Sequence, residues 1–303
     1  MEFTFILITK GRTDIEKNIQ SCLELNKKIK VKIIIVDGNL NENINQLIQN
    51  KFSLYDIKII KQKKGKFVRA CIEGLAYLDT DYFTFTHDDD FISPYFSELI
   101  IQAYNNNTSV IGNGIVRNIF ANNYQYKIPE NFQFLEKKEV LKNYFCSRKI
   151  NNKYLPVNPS CSVFKKEVSS VWINYLFSIL HNKFYSYYLL KKNIGQDLLI
   201  YLIAIHSQKK ILYCNEDTAQ FTSHKQSMSV DFGSLNLGVG YWLAKKIFYK
   251  NEKHIFNFIE KYSISLNMFL RGLKLCISNM NNKKSFAKYS TKKFLKEIFN
   301  ILV

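Results

Sequence analysis

The chain has 303 residues, 47% of them hydrophobic, with 11 glycines and 4 prolines, which excludes a disordered or low-complexity protein and is enough for one large α/β domain with an appendage. Its formal charge is +18, which favours anionic partners such as nucleotide phosphates or anionic lipid; an AT-rich genome's excess of Lys, Asn and Ile also contributes. Six cysteines show no Cys-x-x-Cys or zinc-knuckle spacing, so they read as free thiols of a reducing compartment.

Phe3–Ile8 is a short apolar run ending in Thr-Lys-Gly-Arg, which predicts a strand buried on both faces. It is too short for a signal peptide core, and no apolar run is long enough to span a membrane, so a cytoplasmic location is expected. Asp14–Leu25 has helical spacing of Ile15, Ile19, Cys22 and Leu23 behind a cap at Thr13 or Asp14. Val31–Val36 is a second strand, running into Asp37-Gly38. Ile44–Gln49 predicts a helix, Ile57–Ile60 a strand, Phe67–Leu78 a helix, and Tyr82–Thr86 a strand leading into His87-Asp88-Asp89-Asp90. A helix is expected from Phe91 to Ile101 and a strand over Ser109–Val116. Residues Asn122–Asn152 read as irregular.

Beyond them, Pro156–Lys165 reads as a loop entering a strand and Trp172–Leu190 as helical. Gly195-Gln196-Asp197 opens an apolar helix reaching His206. A late strand over Lys210–Cys214 and a polar loop over Thr222–Ser229 follow, and the rest is helical, broken near Asn279–Lys284. Alternating strands and helices predict a doubly wound, mostly parallel sheet. Ligands in such sheets bind at the carboxyl ends of the strands, where Thr9–Arg12, Asp37 and His87–Asp90 fall.

Three consecutive carboxylates repel one another unless they are solvated or neutralised. A divalent cation shared with diphosphate oxygens would neutralise Asp88, Asp89 and Asp90; a solvated acidic turn capping a helix has the same local sequence. Asp37 suits a ribose hydroxyl or a base N–H, although Asp-Gly is also a common turn. Gly65 and Arg69, in GKFVR, suit phosphate or ribose at a helix start. Asp197 is either a helix cap or a general base aimed into the cleft. His224 and Lys225, followed by two serines, suit a diphosphate. Neither GxGxxG nor GxxxxGK[ST] occurs, which disfavours a dehydrogenase and a P-loop NTPase.

In this order the pieces resemble the family 2-type inverting glycosyltransferases of the GT-A fold. ILITKGR matches the loop after their first strand through Thr9 and Arg12, and IIIVDG matches the second strand end through Asp37. GKFVRA supplies Gly65 and Arg69, YFTFTHDDDFISP the acidic strand end, GQD the late helix start, and HKQSMS the closing loop. His87 stands where the first aspartate of an Asp-x-Asp motif is expected, leaving Asp88 and Asp90, or chiefly Asp89, as metal ligands. Gln196 replaces the usual acid before Asp197.

The resemblance implies a GT-A α/β domain over 1–230 with a helical extension over 231–303. It implies transfer of a sugar from a nucleoside-diphosphate sugar to the hydroxyl of a glycan or lipid-linked glycan, with inversion, in bacterial surface polysaccharide synthesis. Asp197 would be the base. Thr9, Arg12, Asp37, Gly65, Arg69, Asp88, His224 and Lys225 would bind the donor, and Mn²⁺ or Mg²⁺ would sit on Asp88, Asp89 and Asp90. A nucleotidyltransferase would require a glycine-rich basic loop after the first strand, and TKGR is a poor version; a non-catalytic basic binding protein is the other alternative, with no specific nucleic acid expected. Residues 241–303 hold thirteen basic residues against three acids, a net of +10. Ile255, Phe258, Ile259 and Tyr262 there are expected to pack on the transferase domain, with the basic surface contacting an anionic inner-membrane face.

Overall fold

The computed structural model describes residues 1–10, 15–38, 42–62, 67–118, 125–150, 153–223, 233–280 and 288–301. The apolar run at the N-terminus forms β1 (Glu2–Thr9), the centre of a five-stranded sheet. On one side β1 pairs in parallel with β2 (Lys30–Asp37), and β2 with β3 (Asp56–Lys61). On the other side it pairs in parallel with β4 (Tyr82–His87). A two-residue antiparallel edge at Phe164–Lys165 completes the sheet beyond β4.

Period-two alternation splits these strands between two cores. Phe3, Phe5 and Leu7 of β1 join Val31, Ile33 and Ile35 of β2 on one face. Ile6 and Ile8 join Ile34, Val36, Phe83 and Phe85 on the other. Helices cover both faces, so both sets of positions are mainly apolar, with buried Thr4, Thr84 and Thr86 hydrogen-bonded internally.

Between the strands run α1 (Ile15–Leu23), α2 (Glu42–Lys51) and α3 (Phe67–Leu75). After β4 the chain departs from expectation. Instead of a helix from Phe91, Asp90–Ile92 forms a short strand, β5, and α4 runs from Phe96 to Asn106. The strand exists because β8 (Lys210–Ser223) offers it an edge, with Asp90 opposite Phe221. β8 also pairs in parallel with β6 (Val110–Asn118) and antiparallel with β7 (Phe132–Glu136), forming a second sheet. The region read as irregular therefore contains β7 and also α5 (Lys137–Phe145). Val140, Leu141, Tyr144 and Phe145 of α5 are buried, a helical spacing hidden among lysines and asparagines.

Helix α6 (Lys166–Ser178) leads through a broken helical segment to α7 (Gln196–His206), nearly all of which is buried. Three further helices follow: α8 (Gly233–Glu252), α9 (Phe258–Met280) and α10 (Lys288–Phe299). Val239, Trp242, Leu243, Phe248 and Phe294 from these helices belong to the same apolar cluster as Ile6 and Phe85. Helices of the extension expected over 231–303 thus share an apolar core with the residues before it. Of the residues expected to pack the extension, Ile255 packs against this core, but Phe258, Ile259 and Tyr262 are exposed, and Phe256, Ile264, Met268 and Cys276 are buried instead. No described helix is long and apolar enough to cross a membrane, and all six cysteines are free.

Candidate active site

Strand register assembles the site. Thr9 stands opposite Asp37, Asp37 opposite Lys61, and Ile8 opposite His87, so the carboxyl ends of four parallel strands share one edge. Thr9 and Asp37 are both buried. The Thr9 hydroxyl donates to the Asp88 carboxylate at 2.7 Å, and the Lys10 N–H donates to the same oxygen at 3.1 Å. Two residues singled out from sequence, Thr9 and Asp88, therefore touch.

Asp90 turns another way. Its carboxylate accepts from the Ser160 hydroxyl and, at 3.3 Å, from the His87 N–H. Burial pushes its pKa up to about 6, opposed by the nearby His87. Asp89, between the two, is partly exposed. The three carboxylates thus do not converge, and among the described residues no group of three His, Cys, Asp or Glu side chains is placed to share one ion.

The acidic turn is held from beneath by Asn18 of α1. The Asn18 amide, fully buried, donates to the Thr86 hydroxyl at 3.0 Å, the His87 carbonyl at 2.9 Å and the Asp90 carbonyl at 2.5 Å. Sequence reasoning passed over Asn18; its only local signal is a polar residue next to the apolar stripe of an amphipathic helix. Ser160 and Asn158, from the PVNPSCS segment, were likewise not singled out.

Asp197 comes from a separate element. Gly195, at φ 97°, turns the chain so that Gln196 begins α7. The Asp197 carboxylate accepts from the Leu198 N–H at 2.9 Å and from the Tyr241 hydroxyl at 3.4 Å. The helix is anchored behind it by the Trp172 indole N–H, which donates to the Gln196 carbonyl at 3.0 Å. Burial pushes the Asp197 pKa up to about 6, against the opposing pull of the Leu198 N–H, the Tyr241 hydroxyl and His87. His87 therefore lies within electrostatic reach of both Asp90 and Asp197. Its ring stacks on Phe67 at the start of α3, with 4.9 Å between centroids.

Of the remaining candidates, Arg69 is on the exposed face of α3, its Nε 2.8 Å from Glu73. It borders an apolar groove with Val68, Ile72, Leu176 and Phe177. Arg12, Gly65, His224 and Lys225, and the caps Thr13 and Asp14, lie outside the described residues.

The acidic turn at the sheet's carboxyl edge and the raised-pKa carboxylate of Asp197 are thus both near His87. The model of the family described as glycosyl transferase family 2 matches residues 4–172. The chain belongs to that family. Among solved structures, S. aureus TarS 1–349 aligns with 99% of this transferase and 71% of its own chain, with a TM-score of 0.52 and 10% identity. TarS 1–349 in complex with UDP-GlcNAc aligns with a TM-score of 0.53 and 11% identity over 99% and 72% of the two chains. A third TarS structure gives a TM-score of 0.55 at 8% identity, covering 99% of the transferase and 54% of the TarS chain. At these identities the likeness is one of fold, the GT-A arrangement with a helical C-terminal region. No curated protein matches the transferase by sequence. The family match ends before Asp197 and Tyr241.

Proposed function

We propose that this family 2 transferase moves a sugar from a nucleoside-diphosphate sugar to an acceptor hydroxyl in one in-line displacement with inversion. The observation that carries the reading is Asp197, a carboxylate made more basic by burial and held at a helix start within electrostatic reach of His87 at the acidic turn. Asp197 takes the proton of the acceptor hydroxyl as its oxygen attacks the anomeric carbon, and the nucleoside diphosphate leaves from the opposite face. Tyr241 orients Asp197 through its hydroxyl. Thr9 and Asp37 line the nucleotide end of the cleft, with Arg12, Gly65 and Arg69 proposed beside them, and His224 and Lys225 at the diphosphate.

A divalent ion fits the donor set in one way. The partly exposed Asp89 is proposed as its chief protein ligand, while Asp88 and Asp90 accept hydrogen bonds from protein donors. Mg²⁺ and Mn²⁺ commonly keep several waters and take one or two carboxylates alongside substrate phosphates. Bound there, the ion would stabilise the negative charge on the departing diphosphate. Asp88, through Thr9 and Lys10, and Asp90, through Ser160 and His87, hold the turn that presents Asp89.

TarS is described in complex with UDP-GlcNAc, which makes UDP-sugars the first donors to test, with a glycan or lipid-linked glycan of a bacterial surface polysaccharide as acceptor. A panel of UDP- and GDP-sugars with Mn²⁺, read by thermal shift and by release of nucleoside diphosphate, tests the reading. One or more donors should raise the melting temperature and release diphosphate slowly to water. A panel in which no donor does either would overturn the proposal.

A further inference from the structure

Helix α9 has two faces of opposite fate. It begins with a reciprocal cap: the Asn257 side chain accepts from the Glu260 N–H at 2.9 Å, and Glu260 accepts from the Asn257 N–H at 2.9 Å. Its inner face, at Ile264, Met268, Gly272 and Cys276, repeats every fourth residue and is buried. Its outer face carries Phe258, Ile259, Tyr262, Leu266, Leu270 and Ile277, all exposed. Their spacing puts them in one stripe along the helix. Phe258 is 84% exposed, Ile259 77% and Ile277 60%. At 1.5 Å per residue the stripe is about 28 Å long.

Cations border this stripe. Lys274 is exposed beside Leu270 and Ile277 on α9. Across the α9–α10 contact, Phe269 packs edge-on against Phe299, 5.7 Å between centroids. Phe299 is itself exposed, and Lys292 and Lys296, both exposed, share its face of α10. The acids of this region are otherwise engaged: Glu252 bonds Tyr175 and His206, Glu260 caps α9, and Glu297 bonds Lys246 and Tyr185.

We propose that the outer face of α9, with the adjoining face of α10, docks on an anionic membrane surface, the α9 axis lying in the interface plane. A continuous apolar stripe of this kind marks an interaction site on a water-soluble fold. A lipid surface answers both of its features: the apolar side chains enter the boundary between headgroups and acyl chains, and the flanking lysines meet lipid phosphates. A two-fold pairing of the same face would bring Lys274, Lys292 and Lys296 of two copies towards one another, which disfavours a second copy as the occupant.

Flotation of the whole protein with phosphatidylethanolamine–phosphatidylglycerol vesicles, against phosphatidylcholine vesicles, tests the proposal at low and high salt. The protein should float with the anionic vesicles and much less with the neutral ones, and salt should weaken binding. Leu266→Gln with Leu270→Gln should reduce partitioning by about tenfold or more, with an unchanged melting temperature because both side chains are exposed. Lys292→Gln with Lys296→Gln should weaken binding to the anionic vesicles alone. Two results would overturn it: a wild-type protein that stays with the soluble fraction, or a leucine double variant that floats as the wild type does. Light scattering covers the remaining occupant. A concentration-dependent dimer that the leucine variant dissolves, without vesicle binding, would make the stripe a self-association surface.

Discussion

Gly195 and Gly240 meet backbone to backbone. A Cβ on Gly195 would lie 2.4 Å from the Gly240 carbonyl oxygen, and a Cβ on Gly240 would lie 2.2 Å from Ile194 Cγ2. This approach seats α8 against the turn that launches α7, and it brings Tyr241, the next residue, within 3.4 Å of Asp197. The position of the proposed base thus depends on a helix that lies beyond the matched family segment.

Gly240→Ala should therefore be costly for a single methyl group. Forcing α8 away from Ile194 is expected to lower stability by about 1–3 kcal/mol, the scale of overpacking. Turnover should fall more than donor affinity, because the displaced contact is with Asp197. Urea denaturation combined with donor titration measures both effects; an unchanged midpoint would contradict the close approach.

Asp197→Asn keeps the shape and the hydrogen-bonding reach of the side chain but removes its basicity. Turnover should drop by roughly 10²–10⁴, the usual scale of general acid–base catalysis, with donor binding nearly intact. Retained turnover would move the base elsewhere, and Glu216 and Asp217 would be the next residues to change.

The pH profile follows from the same carboxylate. With a pKa of about 6, Asp197 is ionised and competent above that value and protonated below it, so turnover should fall as pH drops through about 6. Tyr241→Phe removes a hydrogen bond that favours the ionised form. The acid limb should then move to higher pH, with turnover near pH 8 changed less. A limb that stays in place would show that Tyr241 does not act on the proposed base.

Asp89→Ala should abolish divalent-dependent donor binding while leaving the melting temperature of the free protein nearly unchanged, since Asp89 is partly exposed. Asp88→Ala should instead lower the melting temperature, because the Thr9 hydroxyl loses its carboxylate acceptor. Full wild-type activity in excess chelator would refute the metal role altogether.

Lys245 supplies a test of the core that does not involve catalysis. It is buried on α8, where its ammonium donates to the Phe145 carbonyl at 3.5 Å. Burial, then Arg271 and Arg148, depress its pKa to about 7. Between about pH 7 and the ordinary lysine value the unfolded chain holds a proton that the folded chain lacks, so stability rises with pH through that window. Below about pH 7 both states hold the proton and the dependence levels off. Lys245→Met should remove this rise, and melting temperatures of both proteins from pH 6 to 10 would show whether it does.

The existence of β1 to β4, the two-sided burial of β1, and the acidic turn at a strand's carboxyl end were legible in sequence. Each is written in a local pattern: a short apolar run, a helical spacing, or a polar residue where such a run stops. Asp197 was legible as a helix start for the same reason. The tertiary structure alone decided which way the carboxylates face. Asp88 turns to Thr9 and Asp90 to Ser160, partners 79 and 70 residues away, and no window of sequence contains both members of either pair. It also turned Asp90–Ile92 into a strand, because a lone segment cannot show the edge that β8 offers it. On α9, helical periodicity identified an amphipathic helix but not which apolar residues turn inward. Ile264 and Met268 face the core and Phe258 and Ile259 face outward because other helices cover only one side, and that is a property of the packed chain.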